Sequence, residues 1–163
     1  FTFRTPSSIE RAYRFLTERI YVPRGLAWIV DDLGGSLWLE PSAPKGFPLR
    51  DTIGIVRCLP WPHHGIRAAI VDHAMVSRRP TAPHYYLFAV GVLPEGRGKG
   101  LASALIRAGL DLADRDGVGA YLENSNPRNT PLYERFGFVA GTPFHANRGC
   151  PPLLPMWRPG PTA

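Results

Sequence analysis

Val90-Gly91-Val92-Leu93-Pro94-Glu95-Gly96-Arg97-Gly98-Lys99-Gly100-Leu101-Ala102 is the stretch on which the fold turns. It begins inside an unbroken apolar run, 85–92, the pattern of a strand buried on both faces. Glycines then cluster over 94–100. A helix is predicted over 101–116, with Ala104, Leu105, Ala108, Leu112 and Ala113 on its core face. Gly117 and Gly119 stop that helix, and 120–123 reads as a short strand. A buried strand, a glycine loop, a helix and a second strand make a βαβ unit with a parallel strand pair.

The loop also carries chemistry. A helix start has unpaired N–H groups and the positive end of the macrodipole. Glycines let that backbone approach an anion closely, and Arg97 and Lys99 add positive charge. The combination suits a pyrophosphate; an ordinary glycine-rich strand-to-helix turn is the plainer alternative. A P-loop needs Ser or Thr after its Gly-Lys, but Gly100 follows Lys99. The dinucleotide fingerprint G-x-G-x-x-G also fails, because Ser103 takes its last place counted from Gly98. Nucleoside triphosphates and NAD are therefore disfavoured.

Outward from this unit the pattern is less regular. Ser7 and Glu10 are spaced as a capping box, and Ile9, Ala12, Tyr13, Leu16 and Ile20 follow at helical spacing until Pro23 and Gly25. Strands are predicted over 26–30 and 36–40, joined by a turn from Asp31 to Gly35. After a proline-rich loop, helices are predicted over 51–58 and 66–77. The second carries Ile66, Ala69, Ile70, His73 and Ala74 on one face. Beyond the βαβ unit come a helix over 130–136 and strands over 138–144 and 155–158.

Composition narrows the classes. The chain has 163 residues, 44% apolar and 20% charged, which suits one folded domain over 1–163 and argues against a disordered chain. The net charge of +6 comes from 17 Arg and only 2 Lys, beside 18 Pro and 17 Gly. These residues share GC-rich codons, so the charge is a weak sign of nucleic-acid binding, and no basic run is interleaved with aromatics. Cys58 and Cys150 make neither a disulfide framework nor a metal spacing. No apolar stretch approaches the roughly 18 residues of a membrane span, and no secretory leader precedes the first element. A cytoplasmic protein without metal, membrane or nucleic-acid partner is expected.

The residues resemble a family. Arg97, Gly100 and Ala102 match the Gln/Arg-x-x-Gly-x-Gly/Ala core of the cofactor motif of the GNAT superfamily of acetyl-CoA-dependent N-acyltransferases. Downstream, Asn126-Pro127-Arg128-Asn129-Thr130-Pro131-Leu132-Tyr133-Glu134-Arg135-Phe136-Gly137-Phe138 is similar to the family's second half. Two motifs in order, with a helix and a strand between them, are far more specific than one. The likeness runs from about Tyr85 to Phe144 and is weak before it. The run from Leu122 to Asn129 followed by Tyr133-Glu134-Arg135 also resembles the puromycin N-acetyltransferase-like members.

The resemblance implies an α/β fold with a central mixed, splayed sheet flanked by helices. It also implies a first strand and helix missing ahead of Phe1. Acetyl-CoA is expected in the splay as cosubstrate. Backbone groups of Val90, Gly91 and Val92 would meet its pantetheine arm, and Asn129 would contact it too. Backbone N–H groups of Arg97, Gly98, Lys99, Gly100, Leu101 and Ala102, with Ser103 beside them, would hold its pyrophosphate. Tyr133 is the expected proton donor to the departing thiolate, against the plainer reading of a core aromatic. Glu123, at the end of its strand, is an expected base for the acceptor amine; pairing with Arg128 or Arg135 is the even alternative. His73 and His84 are weaker bases, and His63-His64 lacks a ligand partner. Tyr13, Trp28, Trp38, Trp61 and Tyr85 are either an aromatic acceptor pocket or core. The expected reaction is direct acetyl transfer to a primary amine of a small molecule, puromycin-like or another antibiotic. A protein or peptide amine, or a non-catalytic CoA sensor, are the alternatives. A homodimer is left open.

Overall fold

The computed structural model describes residues 6–24, 26–44, 49–57 and 62–161. Helix α1 (Pro6–Leu16) runs on through a π turn, Thr17–Tyr21, and a 3-10 turn, Val22–Arg24. A hairpin follows, β1 (Ala27–Val30) and β2 (Gly34–Leu39). Helices α2 (Leu49–Arg57) and α3 (Pro62–Val76) precede β3 (His84–Val92). Then come α4 (Leu101–Arg115), β4 (Gly119–Asn124) and α5 (Thr130–Glu134). Strands β5 (Val139–Ala140), β6 (Phe144–His145) and β7 (Pro152–Arg158) end the described fold.

The strands form one mixed sheet in the order β1-β2-β3-β4-β7-β5, with β6 also on β7. The β3–β4 pair is parallel and the other described pairs are antiparallel. Alternation along β3 sends Tyr85 and Leu87 to one face and Tyr86 to the other. On the first face Trp38, Leu87, Ile106, Leu110, Leu122 and Met156 pack beneath α4. On the second face Leu16, Ile20, Tyr21 and Ile55 cover Leu39, Tyr86 and Tyr121. The sheet is thus covered on both sides, as the βαβ unit requires.

Several expectations are corrected. Helix α1 begins one residue before Ser7, and Glu10 pairs with Arg14 one turn on, at 2.8 Å. The β1–β2 turn is made by Asp31 and Asp32, both at positive φ, with the Leu33 N–H donating to Val30 O at 2.9 Å. Gly34 and Gly35 lie in β2 instead, paired with Val92 and Gly91, and a Cβ at Gly34 would stand 2.9 Å from Gly91 O. The face predicted for 66–77 is turned outward at Ala69, Ile70 and His73, while Val71, Met75 and Val76 are half-buried. Four consecutive apolar residues, Ala68 to Val71, leave the periodicity unable to choose a face. Strand β3 is buried only over its first four residues. The run predicted over 138–144 breaks into β5 and β6 around Gly141 and Pro143, and both pieces lean on a longer β7 than 155–158. Cys58 and Trp61, and the side chains of His63, His64 and Ile66, lie outside the described residues.

Candidate active site

The parallel ladder between β3 and β4 runs from His84↔Gly119 to Leu87↔Leu122 and stops there. Beyond that rung β3 follows β2 to Val92 and β4 follows β7 to Asn124. The strands part, and the opening holds a cavity of about 150 Å³. Leu87 to Val90 line one side, Leu122 to Ser125 the other, and Tyr13, Asn129 and Tyr133 reach in from α1 and the α5 region. This divergence is the physical reason that β3 loses its double-sided burial.

Two expected catalytic residues meet in this cavity. Glu123 lies on the face of Tyr86 and Tyr121, whereas Tyr133 packs with Leu122 and Phe138 beneath the opposite face. They approach the gap from the two sides of the sheet. Tyr86 Oη donates a 2.7 Å hydrogen bond to Glu123 Oε2, and Glu123 Oε1 is buried with no hydrogen-bond partner. Burial pushes the Glu123 carboxyl above its ordinary value, while the Tyr86 hydrogen bond, the Arg79 charge and the Tyr121 hydroxyl hold it down in part. Neither Arg128 nor Arg135 is its partner; both are exposed. Burial also raises the Tyr133 phenol, partly offset by its hydrogen bond with Asn129.

The segment between β4 and α5 is pinned by amide side chains. Asn124 Oδ1 accepts from the Asn126 N–H at 3.0 Å, and Asn124 Nδ2 donates to Thr130 Oγ1 at 3.0 Å. Asn126 Oδ1 accepts from the Arg128 N–H at 3.1 Å. Together these bonds set where Asn129 and Tyr133 enter the cavity.

The glycine loop fits the group expected of it. Gly98 (φ 77°) and Gly100 (φ 78°) take left-handed conformations on either side of Lys99. A Cβ at either position would meet nothing within 4 Å, so their role is backbone shape, not clearance. Gly100 begins α4 with no side-chain cap, leaving the first N–H groups of Leu101, Ala102 and Ser103 for an outside acceptor. Arg97, Gly98, Lys99 and Gly100 are exposed, as a pyrophosphate cradle needs. Val90, Gly91 and Val92 pair with Ser36, Gly35 and Gly34 on one edge, and past Leu87 their other edge has no β4 partner.

Other candidates fall away. His84 is buried, with Nδ1 2.7 Å from Ala82 O and its ring edge-on to Tyr121 and Trp157. His73 is exposed on α3, and neither histidine lines the cavity. Trp38 and Tyr85 are core, and Trp28 packs against it. Of the aromatic group, Tyr13 lines the cavity, together with Phe88, whose ring centroid is 6.2 Å away. Among the described residues no cluster of His, Cys, Asp or Glu is arranged to hold a metal. No described helix is long and apolar enough to cross a membrane. Tyr86, Arg79, Phe88 and Asn124 escaped sequence reasoning. For Tyr86 a signal existed: in a strand covered on both faces, it and Tyr121 carry hydroxyls that need partners.

A parallel pair that splays past its last rung, followed by a glycine loop and an uncapped helix start, is the frame of an acyl-CoA-type transferase fold. The profile of the Acetyltransferase (GNAT) family matches residues 36–138, more than half of the chain, and the chain belongs to that family. It is 31% identical over 134 residues to an uncharacterised N-acetyltransferase of Schizosaccharomyces pombe, covering 73% of this chain and 53% of that protein. It is 31% identical over 145 residues to a mycothiol acetyltransferase of Thermobispora bispora, covering 84% of this chain and 45% of that protein. The chain thus spans about half the length of these curated relatives. Among solved structures, a histone acetyltransferase HPA2 and related acetyltransferase from Corynebacterium glutamicum superposes with a TM-score of 0.66 at 21% identity, covering 99% of this chain and 81% of that one. The NatC complex bound to Gag peptide and CoA superposes at 0.56 and 18% identity, covering 96% and 82%. At these identities the structural likeness speaks for the fold.

Proposed function

We propose that this chain carries an N-acetyltransferase site that moves an acetyl group from acetyl-CoA to a primary amine by direct attack. The observation that carries this reading is that Glu123 and Tyr133 enter one cavity from opposite faces of the sheet. When bound, acetyl-CoA supplies the acetyl group as an activated thioester. Backbone N–H groups from Arg97 to Ala102, with Ser103, hold its pyrophosphate. The unpaired edge of Val90, Gly91 and Val92 and the Asn129 amide orient its pantetheine arm. On the other side Glu123 takes the proton that a cationic amine must lose before attack. Tyr133, kept protonated by burial, gives a proton to the departing thiolate. The two proton steps are thereby separated by the sheet, acid on the α5 side and base on the α1 side.

The acceptor is a small-molecule amine on this reading. It draws support from relatives named as mycothiol acetyltransferases and from the Leu122–Asn129 likeness to puromycin N-acetyltransferases. The test is mass-spectrometric detection of acetyl transfer across a panel holding puromycin, polyamines, amino-sugar thiols and N-terminal peptides. A mass gain on a small amine that is lost in Glu123→Gln and Tyr133→Phe supports the proposal. A gain on peptides alone replaces the acceptor class. CoA binding without any transfer leaves a sensor domain.

A further inference from the structure

We propose that Tyr86 is the positioning residue of the acceptor base: its hydroxyl fixes Glu123 Oε2 and leaves Oε1 as the oxygen that takes the amine proton. The inference rests on the reading of Glu123 as the base. Tyr86 itself is 3% exposed, does not line the active-site cavity and touches no reacting atom.

The geometry comes from the sheet. Tyr86 pairs with Tyr121 on the second-last rung of the parallel ladder. Glu123 stands two residues beyond Tyr121 on the same face, so Tyr86 is its diagonal cross-strand neighbour. A diagonal contact at the last rungs is fixed by backbone pairing, which makes it a rigid mount for a side chain that projects into the gap. The Arg79 guanidinium lies 3.7 Å from the Tyr86 ring centroid and holds the ring from behind. Tyr86 Oη reaches Oε2 at 2.7 Å, and Oε1 stays buried without a partner. A buried carboxylate oxygen left unsatisfied is costly, and an incoming ammonium N–H removes that cost. The proton then passes from the ammonium nitrogen to Oε1. One N–H bond breaks, one O–H bond forms, and a neutral amine faces a neutral carboxyl.

The groups facing the carboxylate are Tyr86 from β3, Arg79 from the segment after α3 and Tyr121 from β4 itself. Tyr13 of α1 and Tyr133 of α5 line the same cavity. Tyr86, Arg79 and Tyr121 favour the ionised carboxylate against burial. Removing the Tyr86 hydroxyl therefore moves the Glu123 titration to higher pH, and with it the acid limb of kcat/KM.

Tyr86→Phe keeps the ring and its Arg79 stack, so the fold is expected to survive, as thermal melts would show. The measurement is a carbon-13 carboxyl NMR titration of the ligand-free chain, with Glu123 assigned through Glu123→Gln, beside the pH profile of kcat/KM. The expected result is an upward shift of about one pH unit in both. It corresponds to a roughly tenfold slower reaction below the limb, with KM for acetyl-CoA unchanged. A Glu123 midpoint that stays put in Tyr86→Phe overturns the positioning role. A midpoint that moves while the kinetic limb does not overturns Glu123 as the base. The NMR titration needs no turnover, so the two failures are told apart.

Discussion

Leu87 and Leu122 form the last rung of the parallel ladder, and Phe88 and Glu123, one step further, already face each other across a cavity. A difference of one residue separates sheet core from candidate active site. Before the rung, backbone groups are spent on each other; after it, the β3 edge is left for a ligand. A site at the carboxyl ends of parallel strands follows from the same logic that governs open α/β sheets.

Tyr133 is expected to act as an acid and not as packing. Tyr133→Phe keeps the ring and its edge contact with Phe138. A loss of about 100-fold in kcat is expected, with little change in KM for acetyl-CoA. Because burial raises its pKa from 10.0, the hydroxyl stays protonated and no alkaline limb from it appears below that value. Steady-state kinetics across pH check both points, and full turnover by the variant would falsify the role.

Glu123 is expected to cost stability while it supports turnover. Its raised folded-state pKa means that folding favours the protonated form. The associated stability is full below the unfolded pKa and is lost as pH rises through the folded one. Glu123→Gln removes the buried charge, keeps an acceptor for Tyr86, and is expected to raise stability at neutral pH. In calorimetry that is a higher Tm, the gain vanishing near the unfolded pKa, while kcat/KM falls about 100-fold.

Backbone shape, more than charge, is expected to hold the pyrophosphate. Gly100→Ala places a Cβ on a residue at φ 78° in open space, so its penalty is conformational. The left-handed penalty is roughly 1–2 kcal/mol. CoA affinity measured by titration calorimetry is expected to weaken about tenfold, whereas Lys99→Ala weakens it less and more so at low salt. Equal losses in both variants would move the weight to charge.

Gly109 is expected to be a packing requirement. It lies mid-helix in α4, where Ala would ordinarily be favoured by about 1 kcal/mol. Here a Cβ would overlap the indole of Trp38, which is fully buried. Gly109→Ala should therefore destabilise by about 1–3 kcal/mol, read as a lower denaturation midpoint at unchanged slope. A stabilised variant would mean that the indole can shift.

The sequence by itself determined the βαβ unit, the glycine loop and the order of the two motifs. These are local facts: hydrophobic period, glycine placement and helix-start chemistry act over a few residues, and α4 and β4 lie within about two residues of their predicted bounds. It also placed Glu123 at a strand end and Tyr133 on a short helix. What it left open was the company they keep. Whether Glu123 meets Arg128, Arg135 or Tyr86 depends on the neighbour across a parallel ladder, 37 residues away along the chain. Whether Ile70 faces core or solvent depends on which helix packs on which sheet face. Where β3 stops being buried depends on the rung at which two strands part. Long-range pairing decides all three, and no local pattern encodes it, because the same alternation of side chains serves either register and either face.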